Sequence, residues 1–451
     1  MQWDSHPVRV WAQSHPDKLA LITPQKNYTW QTLDNAIDQL AQSLEQKGIG
    51  NGSLITAIGK NSVDLLLLIL ACHRISAMTA VTMPRPDSEL ETCLNTLYSP
   101  QQPRWIWSSQ ADVCRWRQRV KSSNPQSSYK VSSPATITFT SGSSGTPKAV
   151  LHTHQQHFAS ASGLLEPFSF NKGDTWLLSL PLYHVSGLAI VYRWLLAGAC
   201  LKIGEGDLSI DIQGVSHASL VPTQLSRLMT TNATDRLKRV LLGGANIPLE
   251  LCEQASARNI DTWLGYGMTE MASTITAKRY DGLKGVGGCL PKRELTIKDS
   301  QIYVRGDTLA EGYYHQGKIN PLIDKEGWFC TGDLGEWLND QLVIKGRTDN
   351  QFISGGENIH CEEIEGALMS IPEIGNALVL PQPDADYGYR PVAYVDWVEQ
   401  PLSKSKIESI LAKYLVKFKW PVEYYLIPET LLASGIKVSR KALIEHHESQ
   451  G

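Results

Sequence analysis

Thr140-Ser141-Gly142-Ser143-Ser144-Gly145-Thr146-Pro147-Lys148 is the stretch on which the reading of this chain turns. It follows a run of small and β-favouring residues, Ala135 to Thr140, that predicts a strand. Hydroxyls and glycines crowded after a strand let backbone N–H and side-chain O–H groups close around phosphate oxygens. Lys148 adds a fixed positive charge. The spacing is not that of a Walker A loop, which needs Gly-Lys-Ser/Thr after four spacer residues. Here Pro147 precedes the lysine and Ala149 follows it. A Ser/Gly-rich loop without a ligand is the bland alternative, and nine residues in this order argue against it.

Further strands are predicted at Thr175 to Leu180, Ala218 to Val221, Val240 to Leu242 and Ile260 to Leu264, with helical stretches such as Leu249 to Arg258 between them. Strands interleaved with helices point to an α/β protein with largely parallel sheets. Upstream, Asn61 with Asp64 marks a helix start leading into the apolar run Leu65 to Leu70, read as a buried helix. Ser122 to Pro134 is Ser-rich and reads as a surface loop. Beyond about Arg347 the pattern changes. Helix Glu362 to Ser370, strands near Ala377 to Leu380 and Val392 to Val398, helix Ser405 to Leu415 and a strand at Val422 to Ile427 would form a small separate α+β domain. Ser405 and Glu408 have the spacing of a capping box.

The chain has 451 residues, 42 Lys+Arg against 45 Asp+Glu, and a net charge of −3. At ~150 residues per domain this length allows about three domains or two unequal ones. With 42% hydrophobic and 19% charged residues, the composition excludes a disordered chain. The near-neutral balance excludes a general nucleic-acid binder. The longest apolar run, Leu65 to Cys72, falls well short of the ~20 residues that cross a bilayer, so no membrane insertion is expected. The first residues lack a basic region followed by an apolar core and do not read as a signal peptide. Eight cysteines without a CxxC pair support neither a zinc ribbon nor a disulfide framework, and fit a reduced, cytoplasmic compartment.

Two weaker signals lie downstream. Tyr266-Gly267-Met268-Thr269-Glu270 suits a loop on which a planar base can lie, and Glu270 offers Mg²⁺ a hard oxygen. Alone it would be a Gly-rich turn with a surface glutamate. Thr331-Gly332-Asp333, followed by Gly346-Arg347, offers a carboxylate of the kind that accepts bonds from both ribose hydroxyls. Separately, these are a turn residue and a solvated cation. Their order is what gives them meaning.

In this order the motifs resemble the adenylate-forming superfamily of acyl-CoA synthetases, peptide-synthetase adenylation domains and luciferases. Leu180-Pro181-Leu182-Tyr183-His184, Gly243-Gly244-Ala245, Ala310-Glu311-Gly312-Tyr313-Tyr314 and the run from Gly346 to Glu365 extend the likeness over nearly the whole chain. Within it the chain is most similar to the short bacterial o-succinylbenzoate–CoA ligase family of menaquinone synthesis. That narrower likeness rests on Trp176 to Pro181, His184-Val185-Ser186-Gly187, Ser219 to Leu225 and Gly435-Ile436-Lys437-Val438-Ser439-Arg440.

The resemblance implies a large N-terminal domain, residues 1–348, binding ATP and the acid, and a mobile C-terminal domain, residues 349–451, turning about a hinge near Asp349. It implies that Thr140, Ser141, Gly142, Ser143, Ser144, Gly145, Thr146 and Lys148 embrace the β- and γ-phosphates, while Thr269 contacts the α-phosphate and Glu270 holds Mg²⁺. Tyr266, Gly267 and the Gly243-Gly244-Ala245 loop would enclose adenine, with Asp333 and Arg347 on the ribose. Lys437 would bridge the acid's carboxylate and the α-phosphate. Ile436 stands where relatives carry glycine, and Cys361 where many carry proline. Ser354, Gly355 and Gly356 would line a tunnel for CoA, glycine letting backbone form its wall.

His184 would sit at the acyl pocket, with Ser219, Gly265 and Ser273 as neighbours. An acid with a second, free carboxylate needs a cation there, and Arg193, isolated in the apolar stretch Ala189 to Trp194, is the one expected to supply it. The alternative for Arg193 is a snorkelling or structurally paired arginine. His152, His154 and His157 are read as surface histidines of a helix or strand and not as a zinc site; His446 and His447 are read as tail residues. The expected partners are small molecules: ATP, CoA and an aromatic dicarboxylate. Another aryl or acyl acid–CoA ligase, a carrier-protein-loading enzyme and a non-catalytic nucleotide binder remain open at this point. So does the oligomeric state, a homodimer included.

Overall fold

The computed structural model describes residues 5–108, 129–140, 147–231, 233–244, 247–355, 357–398, 400–432 and 438–450. Its architecture follows from a few helices too apolar to face water. In Val63–Arg74, residues Leu65, Leu66, Leu68, Ile69 and Leu70 are at most 2% exposed, so the helix is covered on every side. Each such side chain contributes roughly 1.5–3 kcal/mol on burial. Val185–Ala197 is similarly enclosed and packs on His154–Phe168. The latter touches strand Lys148–Thr153 on one side and strand Ser273–Arg279 on the other. These helices form the layer between two sheets, and a single apolar cluster takes Leu21 and Leu201 from one sheet and Ile55 and Val81 from the other.

The first sheet has eight strands. Its parallel centre runs Asp261–Met268, Arg239–Leu242, His217–Leu220, Thr175–Leu177, Cys200–Lys202 and Leu19–Ile22. Antiparallel strands Ser273–Arg279 and Asn27–Thr29 close its edges. The second has seven strands, with Pro134–Thr140, Met78–Thr82, Leu54–Ile58 and Trp105–Ser108 parallel and the hairpin partner Lys148–Thr153 antiparallel. A third sheet, absent from the sequence reading, is wholly antiparallel: Arg293–Lys298, Gln301–Gly306, Phe329–Leu338 and Gln341–Arg347. After the single turn Thr348–Asn350 comes a fourth, mainly antiparallel sheet with its own apolar core, built from residues 351–426. The α/β class with mostly parallel sheets and a small α+β C-terminal part is the fold observed.

Several local readings need correction. The cap of Val63–Arg74 is Ser62, whose hydroxyl accepts from Leu65 N, and not Asn61. The later helix begins at Lys404, so Ser405 lies inside it and forms no capping box. Pro134 opens a strand instead of closing a loop, and residues 122–128 of that loop lie outside the described residues. His447 is held by the Tyr394 hydroxyl, 2.8 Å from its Nδ1, rather than trailing as a tail residue. No described helix is long and apolar enough to cross a membrane.

The largest correction concerns the histidines. His152, His154 and His157 are at most 1% exposed and stand with His73 in one aromatic cluster around Tyr192. His154 Nδ1 lies 2.8 Å from the Tyr192 hydroxyl and His157 Nε2 lies 2.7 Å from Thr136 Oγ1. The sequence shows three spaced histidines after a strand, but only the second sheet and the helix layer together decide that they point inward. Burial lowers the pKa of all four rings, that of His73 and His152 to about 3. They are neutral when folded and free to protonate near pH 6.5 when unfolded. Stability is therefore fully present above pH 6.5 and lost as pH falls below it, at up to ~1.4 kcal/mol per pH unit for each ring. Urea midpoints should be level between pH 8 and 7 and drop steeply from pH 6 to 5, and His157→Gln should flatten the drop; a midpoint unchanged at pH 5 would contradict this.

Candidate active site

Strands Pro134–Thr140 and Lys148–Thr153 pair antiparallel, bringing Thr140 opposite Lys148. The Ser/Gly-rich loop thus closes a hairpin, whereas a Walker loop opens a helix. Ser141, Gly142, Ser143, Ser144, Gly145 and Thr146 lie outside the described residues, as do Ala245, Gly356 and Lys437. At the hairpin's base the Lys148 ammonium lies over the Tyr313 ring, 5.0 Å from its centroid. Tyr313 donates to Glu270 Oε1 at 3.0 Å. Sequence reading quoted Tyr313 only as part of a motif; its place between a cation and an acid emerges when strand Gly312–His315 pairs with Lys148–Thr153.

Glu270 follows strand Asp261–Met268 in a single turn and is buried. Burial raises its pKa, opposed by the Tyr313 bond and the charge of Lys148. Among the described residues no group of three His, Cys, Asp or Glu is arranged to hold a metal ion. One carboxylate leaves room for phosphate oxygens and waters, and that is the donor set Mg²⁺ accepts. Glu270 fits an ion that arrives with a polyphosphate.

Beside it, Tyr266 donates to Asp333 Oδ2 at 2.6 Å, and Arg347 NH1 reaches Asp333 Oδ1 at 2.8 Å. Strand register places Asp333 directly opposite Arg347. Arg347 also grips Asp349, Nε to Oδ1 at 2.8 Å and NH2 to Oδ2 at 3.2 Å. Burial raises the Asp333 carboxyl above its ordinary value, against the pull of Tyr266 and Arg347. Gly243 approaches Gly265 so closely that a Cβ there would stand 3.2 Å from the Gly265 carbonyl oxygen. Gly244 adopts φ +81°, a left-handed conformation open to glycine.

His184 caps helix Val185–Ala197 by position and is half-buried, with a pKa lowered by that burial, so its ring is neutral at pH 7. The loop before it is tied down by Asn61, which donates to the Leu178 and Leu180 carbonyls at 3.1 and 2.9 Å and accepts from Leu182 N at 2.8 Å. Sequence reading missed that role. An asparagine preceding a helix reads as a cap, and nothing local reveals partners more than a hundred residues away.

Arg193 is 1% exposed. It donates to Thr274 Oγ1 at 3.2 Å and lies over the Trp176 ring at 5.4 Å, and no carboxylate among the described residues pairs with it. Burial lowers its pKa to about 9. It does not snorkel, and it carries no ion pair among the described residues. Ser219 is buried with no partner for its hydroxyl among the described residues, Gly265 lies against Thr274, and Ser273 adopts φ +98°. Ser354 ends strand Gln351–Ser354 of the fourth sheet, and Gly355, in the turn that follows, donates from its N to the Tyr387 carbonyl.

The base of the Ser/Gly-rich hairpin, the buried Glu270 and the Tyr266–Asp333–Arg347 group are linked through Tyr313 and the strand Asp261–Met268, and residues 8–314 match the model of the AMP-binding enzyme family. The chain belongs to that family. Its curated relatives include the 2-succinylbenzoate–CoA ligase of Haemophilus influenzae, 40% identical over 95% of both chains, and that of Escherichia coli, 38% identical over the full length of both. A solved E. coli MenE variant with bound OSB-AMS superposes with a TM-score of 0.89 at 36% identity, covering 99% of this chain and 98% of that one.

In this AMP-binding enzyme Gly267 has little room. A Cβ would lie 2.0 Å from the Ser273 carbonyl oxygen, which backbone must yield to. Gly267→Ala should destabilise the fold by ~1–3 kcal/mol and weaken nucleotide binding by displacing Tyr266. An unaltered urea midpoint together with unaltered ATP affinity would contradict it.

Proposed function

We propose that the chain is an AMP-forming 2-succinylbenzoate–CoA ligase, converting 2-succinylbenzoate, ATP and CoA to 2-succinylbenzoyl-CoA, AMP and diphosphate in menaquinone biosynthesis. Full-length similarity to curated enzymes of that name supports the reaction. The observation that carries the choice of acid is Arg193, a buried guanidinium lacking a counter-ion among the described residues. An unpaired buried charge is costly, and the free carboxylate of a dicarboxylic acid would supply the missing partner through a charge-assisted bond.

A carboxylate is a poor acyl donor, since its charge repels nucleophiles and oxide does not leave. In the first half-reaction its oxygen attacks the α-phosphorus, the bond to the β-phosphate breaks, and diphosphate departs. Two anions must approach, so stabilising charge on the transferring phosphoryl group is the main catalytic requirement. Thr140, Lys148 and the intervening loop hold the β- and γ-phosphates, Thr269 contacts the α-phosphate, and Lys437 stands between it and the attacking carboxylate. Bound at Glu270, Mg²⁺ supplies charge neutralisation to the phosphate oxygens. Tyr266, Gly267, Gly243, Gly244 and Ala245 enclose adenine. Asp333 accepts from the ribose hydroxyls, and Arg347 keeps it ionised. His184, neutral, borders the acyl group with Ser219, Gly265 and Ser273.

In the second half-reaction the CoA thiolate attacks the acyl carbonyl and AMP leaves. Lys437 must then give way. A C-terminal domain starting at Asp349 and turning about that residue would exchange Lys437 for Ser354, Gly355 and Gly356, whose small side chains suit a narrow pantetheine passage. The compact core of residues 351–426 supports a unit able to move as one body.

The acid assignment is tested by AMP release with 2-succinylbenzoate and benzoate, using free CoA or a phosphopantetheinylated carrier protein as acceptor. The dicarboxylate with free CoA should be strongly preferred; equal turnover of benzoate, or loading of the carrier alone, would overturn it. Arg193→Ala should raise KM for 2-succinylbenzoate far more than KM for ATP, and an unchanged KM would remove Arg193 from the pocket. Lys437→Ala should reduce adenylate formation by orders of magnitude yet largely spare conversion of supplied acyl-adenylate and CoA. Equal loss of both halves in a folded variant would contradict the role given to Lys437.

A further inference from the structure

A second buried arginine stands behind the first. Arg293 opens the antiparallel strand Arg293–Lys298 and is 6% exposed. Its NH2 donates to both the carbonyl and the hydroxyl oxygen of Ser160 at 3.0 Å, and its NH1 to the Pro291 carbonyl at 2.7 Å. No carboxylate among the described residues pairs with it. Room for the guanidinium comes from helix His154–Phe168, where a Cβ on Gly163 would fall 2.3 Å from Arg293 NH1. The Ser160 hydroxyl in turn donates to the Ala272 carbonyl at 2.6 Å.

That carbonyl belongs to an unusual piece of backbone. Ala272 and Ser273 carry φ of +51° and +98°, two consecutive non-glycine residues in the left-handed region. Such conformations persist only when surrounding contacts enforce them. The turn joins Glu270 on one side to Thr274, the hydrogen-bond partner of Arg193, on the other.

We propose that Arg293 is a positioning residue for acid recognition. Through Ser160 it clamps the Ala272–Ser273 turn, fixing the Thr274 hydroxyl against Arg193, and its charge adds to the field that draws a second carboxylate into the pocket. The proposal rests on the dicarboxylate reading of the site. The two guanidiniums are close enough for their charges to oppose each other. Neither has a counter-ion of its own among the described residues, so an anion bound at Arg193 relieves both.

Arg293→Met removes the charge and the clamp, Arg293→Lys keeps the charge alone, and Ser160→Ala cuts the link to the turn. KM and kcat for 2-succinylbenzoate, benzoate and ATP are measured for each, with the thermal shift produced by each ligand. Arg293→Met should raise KM for 2-succinylbenzoate at least tenfold and abolish its thermal shift, while KM for ATP and the shift with ATP stay within twofold. Arg293→Lys should recover part of the loss, and Ser160→Ala should raise the acid's KM several-fold. A wild-type protein that prefers 2-succinylbenzoate to benzoate, with a variant Arg293→Met that keeps that preference, overturns the role of Arg293 and leaves the substrate reading intact. Equal rises in KM for all three ligands also overturn it, marking a structural residue. A wild-type protein without the preference overturns the substrate reading, and this inference with it.

Discussion

Positive charge held in the interior without its own counter-ion is the constraint around which this structure is arranged. Most buried cations in proteins are paired, because an unpaired one loses hydration and gains nothing. Among the described residues, Arg193 on helix Val185–Ala197 and Arg293 on strand Arg293–Lys298 break that rule, bonded to hydroxyls, carbonyls and an aromatic face. The two sheets make this tolerable. Helices Val63–Arg74, Val185–Ala197 and His154–Phe168 bury enough apolar surface to offset local electrostatic cost. A protein whose task is to unite anions gains from the arrangement, since the field is set before substrate arrives and needs no reorganisation.

Arg347 illustrates the opposite solution. It is shared between Asp333 and Asp349, so under the proposed function it would tie the nucleotide site to the start of the C-terminal domain. Turning the backbone at Asp349 breaks two of these bonds and leaves the Asp333 bond intact. In the proposed two-step scheme Asp333 would therefore keep its cation while the small domain changes orientation. Gly346 adds a steric reason for the join to fall here: a Cβ at that position would stand 2.7 Å from Glu362 Oε2.

How far the site could be read from sequence depended on the range of each interaction. Motifs confined to a few consecutive residues, such as the Ser/Gly-rich run after a strand or Tyr266 to Glu270, were enough to point to the family, because their pattern is complete within the local sequence. Parallel strands were legible from apolar runs alternating with helices. The antiparallel sheet of residues 293–347 was not, because half-exposed strands of mixed composition carry weak periodicity. The histidine cluster and the brace of Asn61 escaped for another reason. Their environment is made by segments distant in the chain, and no pattern within ten residues distinguishes a buried His157 from a surface one. Arg193 stood out because a cation in an apolar helical stretch conflicts with its surroundings, and the structure shows it buried there.

The choice of arginine over lysine at position 193 follows from the same burial. Desolvation brings the guanidinium down to about 9, which leaves it protonated at neutral pH. A lysine begins roughly two pKa units lower, and the same desolvation would push it further toward its neutral form, which holds a carboxylate less well. The guanidinium also lies over the Trp176 ring while its NH2 donates to Thr274, which leaves further N–H groups that could meet the carboxylate of the proposed acid. An ammonium could satisfy the hydroxyl or the ring but could not present a paired edge as well. Depth of burial and choice of cation are thus one decision: a pocket dry enough to make the carboxylate bond strong is also dry enough to discharge any weaker base.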